Sequence, residues 1–173
     1  MTQPELTVQP APATRPAPAT RPAPATRPAP ATRPAPATRR PAPQLWPTLR
    51  ARDARGLIDF LVAAFGFEEV VAYPDGAGGI AHAQLAWPPG GGLMLGSVRH
   101  DPDDVWALPP GSFGGYGVTE EPDALFARAI AAGASVLRPP ADTDHGSREF
   151  AVRDPEGNRW SFGTYRGEPR PQR

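Results

Sequence analysis

Three histidines, two of them beside carboxylates, are the residues of this chain whose types and spacing could do chemistry. His82 stands in an alternating apolar run. It could form a hydrogen-bonded pocket wall or act as an acid–base group. His100 neighbours Asp101, Asp103 and Asp104, and His145 follows Asp142 and Asp144. Imidazole with carboxylate is a donor set for zinc or calcium. Both clusters fall in Pro/Gly-rich stretches, however, where a solvated loop is the plainer reading. There is no cysteine, which excludes disulfides, thiolate metal sites and thiol nucleophiles. Ser97, Ser112, Ser135, Ser147 and Ser161 sit in no nucleophile elbow. Gly90-Gly91-Gly92 precedes no helix, so it is not a phosphate loop. Catalytic residues are not assignable.

The elements that must position these groups follow from periodicity. Leu45 to Ala51 reads as a strand, with Pro47 marking an edge or a strand start. Asp53 caps a helix carrying Leu57, Ile58, Leu61, Val62 and Phe65 at helical spacing, and Gly66 closes it. Strands are expected over Glu68–Tyr73, Ile80–Trp87 and Gly92–Val98. A connection rich in Pro, Gly and Asp spans 100–111. The order then repeats, with a strand over Phe113–Thr119 and a helix over Pro122–Ala132 that turns Leu125, Phe126, Ala129 and Ile130 inward. Gly133 closes that helix, and a strand follows over Ser135–Arg138. Two alternating runs flank Asp154-Pro155-Glu156-Gly157-Asn158, whose turn chemistry predicts a hairpin. The reading is an α+β chain of two βαβββ modules.

Composition divides the 173 residues in two. Residues 1–44 hold the hexad Ala-Pro-Ala-Thr-Arg-Pro, with Arg15, Arg21, Arg27, Arg33 and Arg39 in register. No large apolar residue lies between Val8 and Leu45, so a disordered, polyproline-rich arm is expected. Six arginines against Glu5 make it basic, and the rest is acidic by a similar amount. Arginines this dilute argue against nucleic-acid binding. A weak partner for the arm is the functional alternative to a repeat without a role. Residues 45–166 form the expected domain and 167–173 a disordered tail. All eighteen basic residues are Arg, which points to a GC-rich, bacterial genome. No apolar run reaches the roughly 20 residues of a membrane span, and no signal-peptide core precedes the arm. A cytoplasmic protein is expected.

Three stretches in order resemble the glyoxalase/bleomycin-resistance/dioxygenase (vicinal-oxygen-chelate) superfamily. They are Asp53 through Leu57-Ile58-Asp59-Phe60-Leu61 to Phe65-Gly66-Phe67-Glu68, then Glu121-Pro122-Asp123-Ala124-Leu125 to Ala132-Gly133-Ala134, then the terminal hairpin. The resemblance covers 45–166. It implies a curved mixed sheet with a concave pocket, helices outside, and a homodimer. Metal-dependent members hold a divalent ion on His, Gln or Glu at four strand positions. Three of them match Trp46, Gly114 and Ser161 here. A one-residue slip brings in Pro47, Phe113, Gly115, Trp160 or Phe162, and the fourth-strand position falls near Met94 or Gly96. None is a usual ligand, so no metal and no cofactor are expected.

If the family's faces hold, alternation places Trp46, Thr48 and Arg50, then Gly114, Tyr116 and Val118, then Arg159, Ser161, Gly163 and Tyr165 on the concave side. Trp160 and Phe162 then pack under the helices. The expected ligand-binding set is Trp46, Thr48, Arg50, His82, Gly114, Tyr116, Arg159, Ser161 and Tyr165. Arg148 is expected buried against a carboxylate across the sheet. The resemblance implies a metal-independent small-molecule binder of the bleomycin-resistance kind. One alternative is a metal-dependent glyoxalase, lyase or dioxygenase with shifted ligands. Another is a dimeric interaction module that presents the arm.

Overall fold

The computed structural model describes residues 45–99, 101 and 103–169. The repeat arm and the last four tail residues lie outside this range, and 167–169 carry no regular secondary structure. The elements run β1 (Thr48–Ala51), α1 (Ala54–Phe65), β2 (Glu68–Pro74), β3 (Ile80–Ala86), β4 (Gly92–Ser97), β5 (Gly114–Val118), α2 (Pro122–Ala131), β6 (Ser135–Asp142), β7 (Arg148–Arg153) and β8 (Arg159–Gly163). This is the βαβββ order twice.

Each module forms its own four-stranded mixed sheet, in the orders β1-β4-β3-β2 and β5-β8-β7-β6. The first strand of each runs parallel to the last, and the other pairs are antiparallel. Among the described residues no ladder joins the two sheets. Side chains join them instead. Phe65 at the end of α1 meets Trp160 at 5.3 Å and Phe162 at 4.6 Å between ring centroids. Trp87 meets Phe162 at 5.7 Å. Burying each of these large rings contributes about 1.5–3 kcal/mol. The two helices lie against each other, and Arg128 Nε donates to the Ala64 carbonyl at 2.9 Å. That contact satisfies one of the orphan acceptors that every helix C-terminus leaves.

Local signals act where the sequence put them. Asp53 caps α1 by accepting from the Gly56 amide at 2.9 Å. Gly66, at φ 83°, takes the left-handed turn that ends the helix. Two expectations need correction. Ile130 is 37% exposed rather than inward, and Val62, also at helical spacing, is 41% exposed. Both stand five residues after the first leucine of their helix, at the edge of the apolar stripe. β6 does not stop at Arg138 but continues to Asp142. Pro139 and Pro140 are tolerated because β6 is a sheet edge and its register shifts between Arg138 and Ala141.

Candidate functional site

Alternation in β1 buries Leu49 and Ala51 and leaves Thr48 and Arg50 on the other face. The same face carries Met94 and Gly96 from β4 and His82 from β3. With Trp46, Arg99 and Trp106 these residues line a groove of about 400 Å³. Two glycines shape it. A β-carbon at Gly92 would lie 2.6 Å from the Trp46 ring. One at Gly96 would lie 2.8 Å from Arg50 Nη1. Only glycine lets the indole and the guanidinium lie this close to the β4 backbone. The His82 ring lies 6.5 Å from that of Tyr73, nearly parallel to it.

Arg50 is already engaged by the chain itself. Its Nη2 donates to Asp104 Oδ2 and its Nε to the Trp106 carbonyl, both at 3.2 Å. The Arg50 and Asp104 side chains are 12% and 7% exposed. Asp104 also accepts from the Trp106 amide at 2.9 Å. The pair therefore pins part of the inter-module connection beside the groove, where Trp106 becomes a wall. Arg99 differs. Its side chain makes one long contact, Nη2 to the Ala81 carbonyl at 3.5 Å, and among the described residues it forms no ion pair. Asp75, held below the usual carboxylate range by the Ala77 and Gly79 amides, also feels the Arg99 charge.

The second module holds a polar cluster on the equivalent face. Gly163 is the reason it can form, because a β-carbon there would lie 2.6 Å from Glu149 Cγ and 2.7 Å from the Tyr116 hydroxyl. Glu149, 8% exposed, meets Arg138 Nη2 at 3.1 Å, His145 Nε2 at 3.4 Å and the Tyr116 hydroxyl at 3.5 Å. Burial pushes its carboxyl up. Hydrogen bonds from Ser147 and His145 and the nearby charges of His145 and Arg138 outweigh that, leaving it below the usual range.

The nine expected ligand-binding residues thus fall in separate places. Trp46, Thr48, Arg50 and His82 share the first groove. Gly114 and Tyr116 line a different slot of about 360 Å³ with Pro47, Phe67, Trp87 and Trp160. Arg159, Ser161 and Tyr165 line neither. The Ser161 hydroxyl donates to the Phe150 carbonyl at 3.1 Å. The Tyr165 amide donates to the Tyr116 hydroxyl and to Ser147 Oγ, each at 3.1 Å. Sequence reasoning named Asp104 only beside His100 and missed Arg99, Trp106, Arg138 and Glu149. The last two could have been found by extending strand alternation across β6 and β7. Arg148 does pair with carboxylates, Asp123 and Asp142, but its side chain is 39% exposed rather than buried.

The residues at the family's metal-ligand positions do not fit a divalent cation. Trp46 and Gly114 offer no donor, and Ser161 spends its hydroxyl on backbone. Among the described residues no three His, Asp or Glu side chains converge as a ligand set. Asp142 turns to Arg148 and His145 to Glu149. His100 lies outside the described residues. No helix among the described residues is long and apolar enough to cross a membrane.

Comparison with known proteins agrees with this architecture. An uncharacterised protein of Mycobacterium tuberculosis is 36% identical over 126 residues, 70% of this chain and 74% of that one. A Mycobacterium bovis protein matches equally over 82% of its length. TioX from Micromonospora sp. ML1 superposes with a TM-score of 0.56 at 30% identity, covering 69% of this chain and 97% of its own. A glyoxalase/bleomycin resistance protein/dioxygenase family enzyme from Burkholderia phytofirmans gives a TM-score of 0.55 at 21% identity, with 68% and 94% covered, a likeness of fold. The family description Glyoxalase/Bleomycin resistance protein/Dioxygenase superfamily matches residues 44–162, and the chain belongs to that superfamily.

Proposed function

We propose that this chain is a metal-independent small-molecule-binding protein, with its ligand on the face of the first sheet that carries Trp46, Thr48, Arg50 and His82. The observation that carries this reading is the 400 Å³ groove on that face. Its size suits a small ligand and its lining mixes aromatic walls with a few polar groups. The donor-poor residues at the metal positions support independence from metal. We further propose a homodimer whose second copy closes the groove. We propose a cytoplasmic location.

Metal content is the test. After incubation with zinc, nickel, manganese and iron, elemental mass spectrometry should find less than about a tenth of an equivalent bound. Near one equivalent would overturn metal independence. Light scattering at graded concentrations tests the dimer, and a monomer at all of them would remove the second copy from the site.

A further inference from the structure

We infer that the groove selects a flat aromatic anion, such as an aromatic carboxylate, and that Arg99 holds the anionic group. This inference rests on the small-molecule reading above and names the ligand class for that site. Two indoles, Trp46 and Trp106, line the groove with the Met94 thioether. Indole faces and a polarisable sulfur both favour aromatic partners over equally apolar aliphatic ones. The groove also contains two arginines, and their surroundings separate their roles. Arg50 is neutralised by Asp104 and also donates to the Trp106 carbonyl. A ligand that took Arg50 would strand a carboxylate that is 7% exposed. Arg99 keeps its planar fork open apart from the long Ala81 contact. Asp75, from the turn between β2 and β3, acts on it through space without forming an ion pair. A guanidinium of this kind binds a carboxylate, sulfonate or phosphate through two parallel hydrogen bonds. The groove's charge also disfavours cations: two guanidiniums line it, among the described residues only Asp104 forms an ion pair with either, and Asp75 acts on Arg99 from a distance.

The test titrates the full chain calorimetrically with 2-naphthoate and its neutral isostere 2-naphthamide. The anion should bind about tenfold or more tightly than the amide, the scale of one charge-assisted pair. Arg99→Gln should collapse that ratio to about one, while Arg153→Gln, on the second sheet, should leave it intact. Added salt should weaken 2-naphthoate and not 2-naphthamide. Trp106→Leu should weaken both probes. Equal affinity for the two probes, or a preference that survives Arg99→Gln, overturns the ligand class and leaves the groove as a small-molecule site. Binding of both probes unaffected by Trp106→Leu places them elsewhere and overturns this inference and the groove together. If neither probe binds, the ligand class falls. A thermal-shift screen of uncharged compounds then decides whether the small-molecule reading falls with it.

Discussion

The Asp154 carboxylate accepts the indole N–H of Trp160 at 2.9 Å, across the turn of the terminal hairpin. The same carboxylate takes the Asn158 amide and its side-chain N–H, both at 2.9 Å. All three residues are 4% exposed or less. The turn is therefore a buried clamp, and it orients the indole that packs on Phe65, Phe67 and Phe113. Asp154→Ala would leave three buried donors without an acceptor. The expected loss is about 2–4 kcal/mol of stability in urea denaturation. A loss below about 1 kcal/mol would show that the clamp is incidental.

Glu156, at the tip of the same hairpin, couples the two modules. Its Oε1 accepts from the Asp53 amide at 2.8 Å, and its carbonyl accepts from Arg52 at 3.0 Å. Oε2 lies 3.3 Å from Arg52 but without an aligned hydrogen bond, so the amide contact is the stronger tether. Glu156→Ala should cost about 1–3 kcal/mol. Hydrogen exchange gives the sharper reading: the Asp53 amide should exchange faster than the global loss explains. Unchanged relative protection at Asp53 would refute the coupling.

Gly163 and Gly114 make a contrasting pair on the second sheet. Gly163→Ala would drive a methyl into Glu149, Tyr116 and the Arg148 carbonyl, at about 1–3 kcal/mol. Gly114→Ala meets nothing within 4 Å, so a change within about 0.5 kcal/mol is expected. Thermal denaturation of both variants checks the difference. Equal effects would mean that the cluster around Glu149 relaxes without cost.

Acid stability should depend on Glu149. Its folded carboxyl sits below the usual range, so it contributes stability above the unfolded value of about 4.3. That contribution is lost as the pH falls through the lower folded value. Asp123 behaves alike: the Arg148 hydrogen bond lowers it and desolvation opposes this. Glu149→Gln should flatten the stability profile below about pH 4.5. A wild-type slope at acid pH in that variant would contradict the assignment.

Much of the fold was determined by the sequence itself, because its signals are local. Two-residue alternation decided that Leu49 and Ala51 face inward while Thr48 and Arg50 do not, and that Trp160 and Phe162 enter the core. Asp53 and Gly66 bound α1 through contacts within a few residues of themselves. Tertiary structure alone decided which groups meet. Arg50 finds Asp104 54 residues on, a pairing that no local signal announces. Arg138, His145 and Tyr116 converge on Glu149 because β5, β8, β7 and β6 lie side by side in that order and Gly163 leaves the space. Seven of the nine expected site residues lie on strands of two sheets that no ladder joins among the described residues, and Trp46 and Tyr165 lie just outside strands. Periodicity tells each strand which face a side chain takes. Which groups share a groove depends on how the sheets pack, and that is settled by the burial of rings from both modules at once.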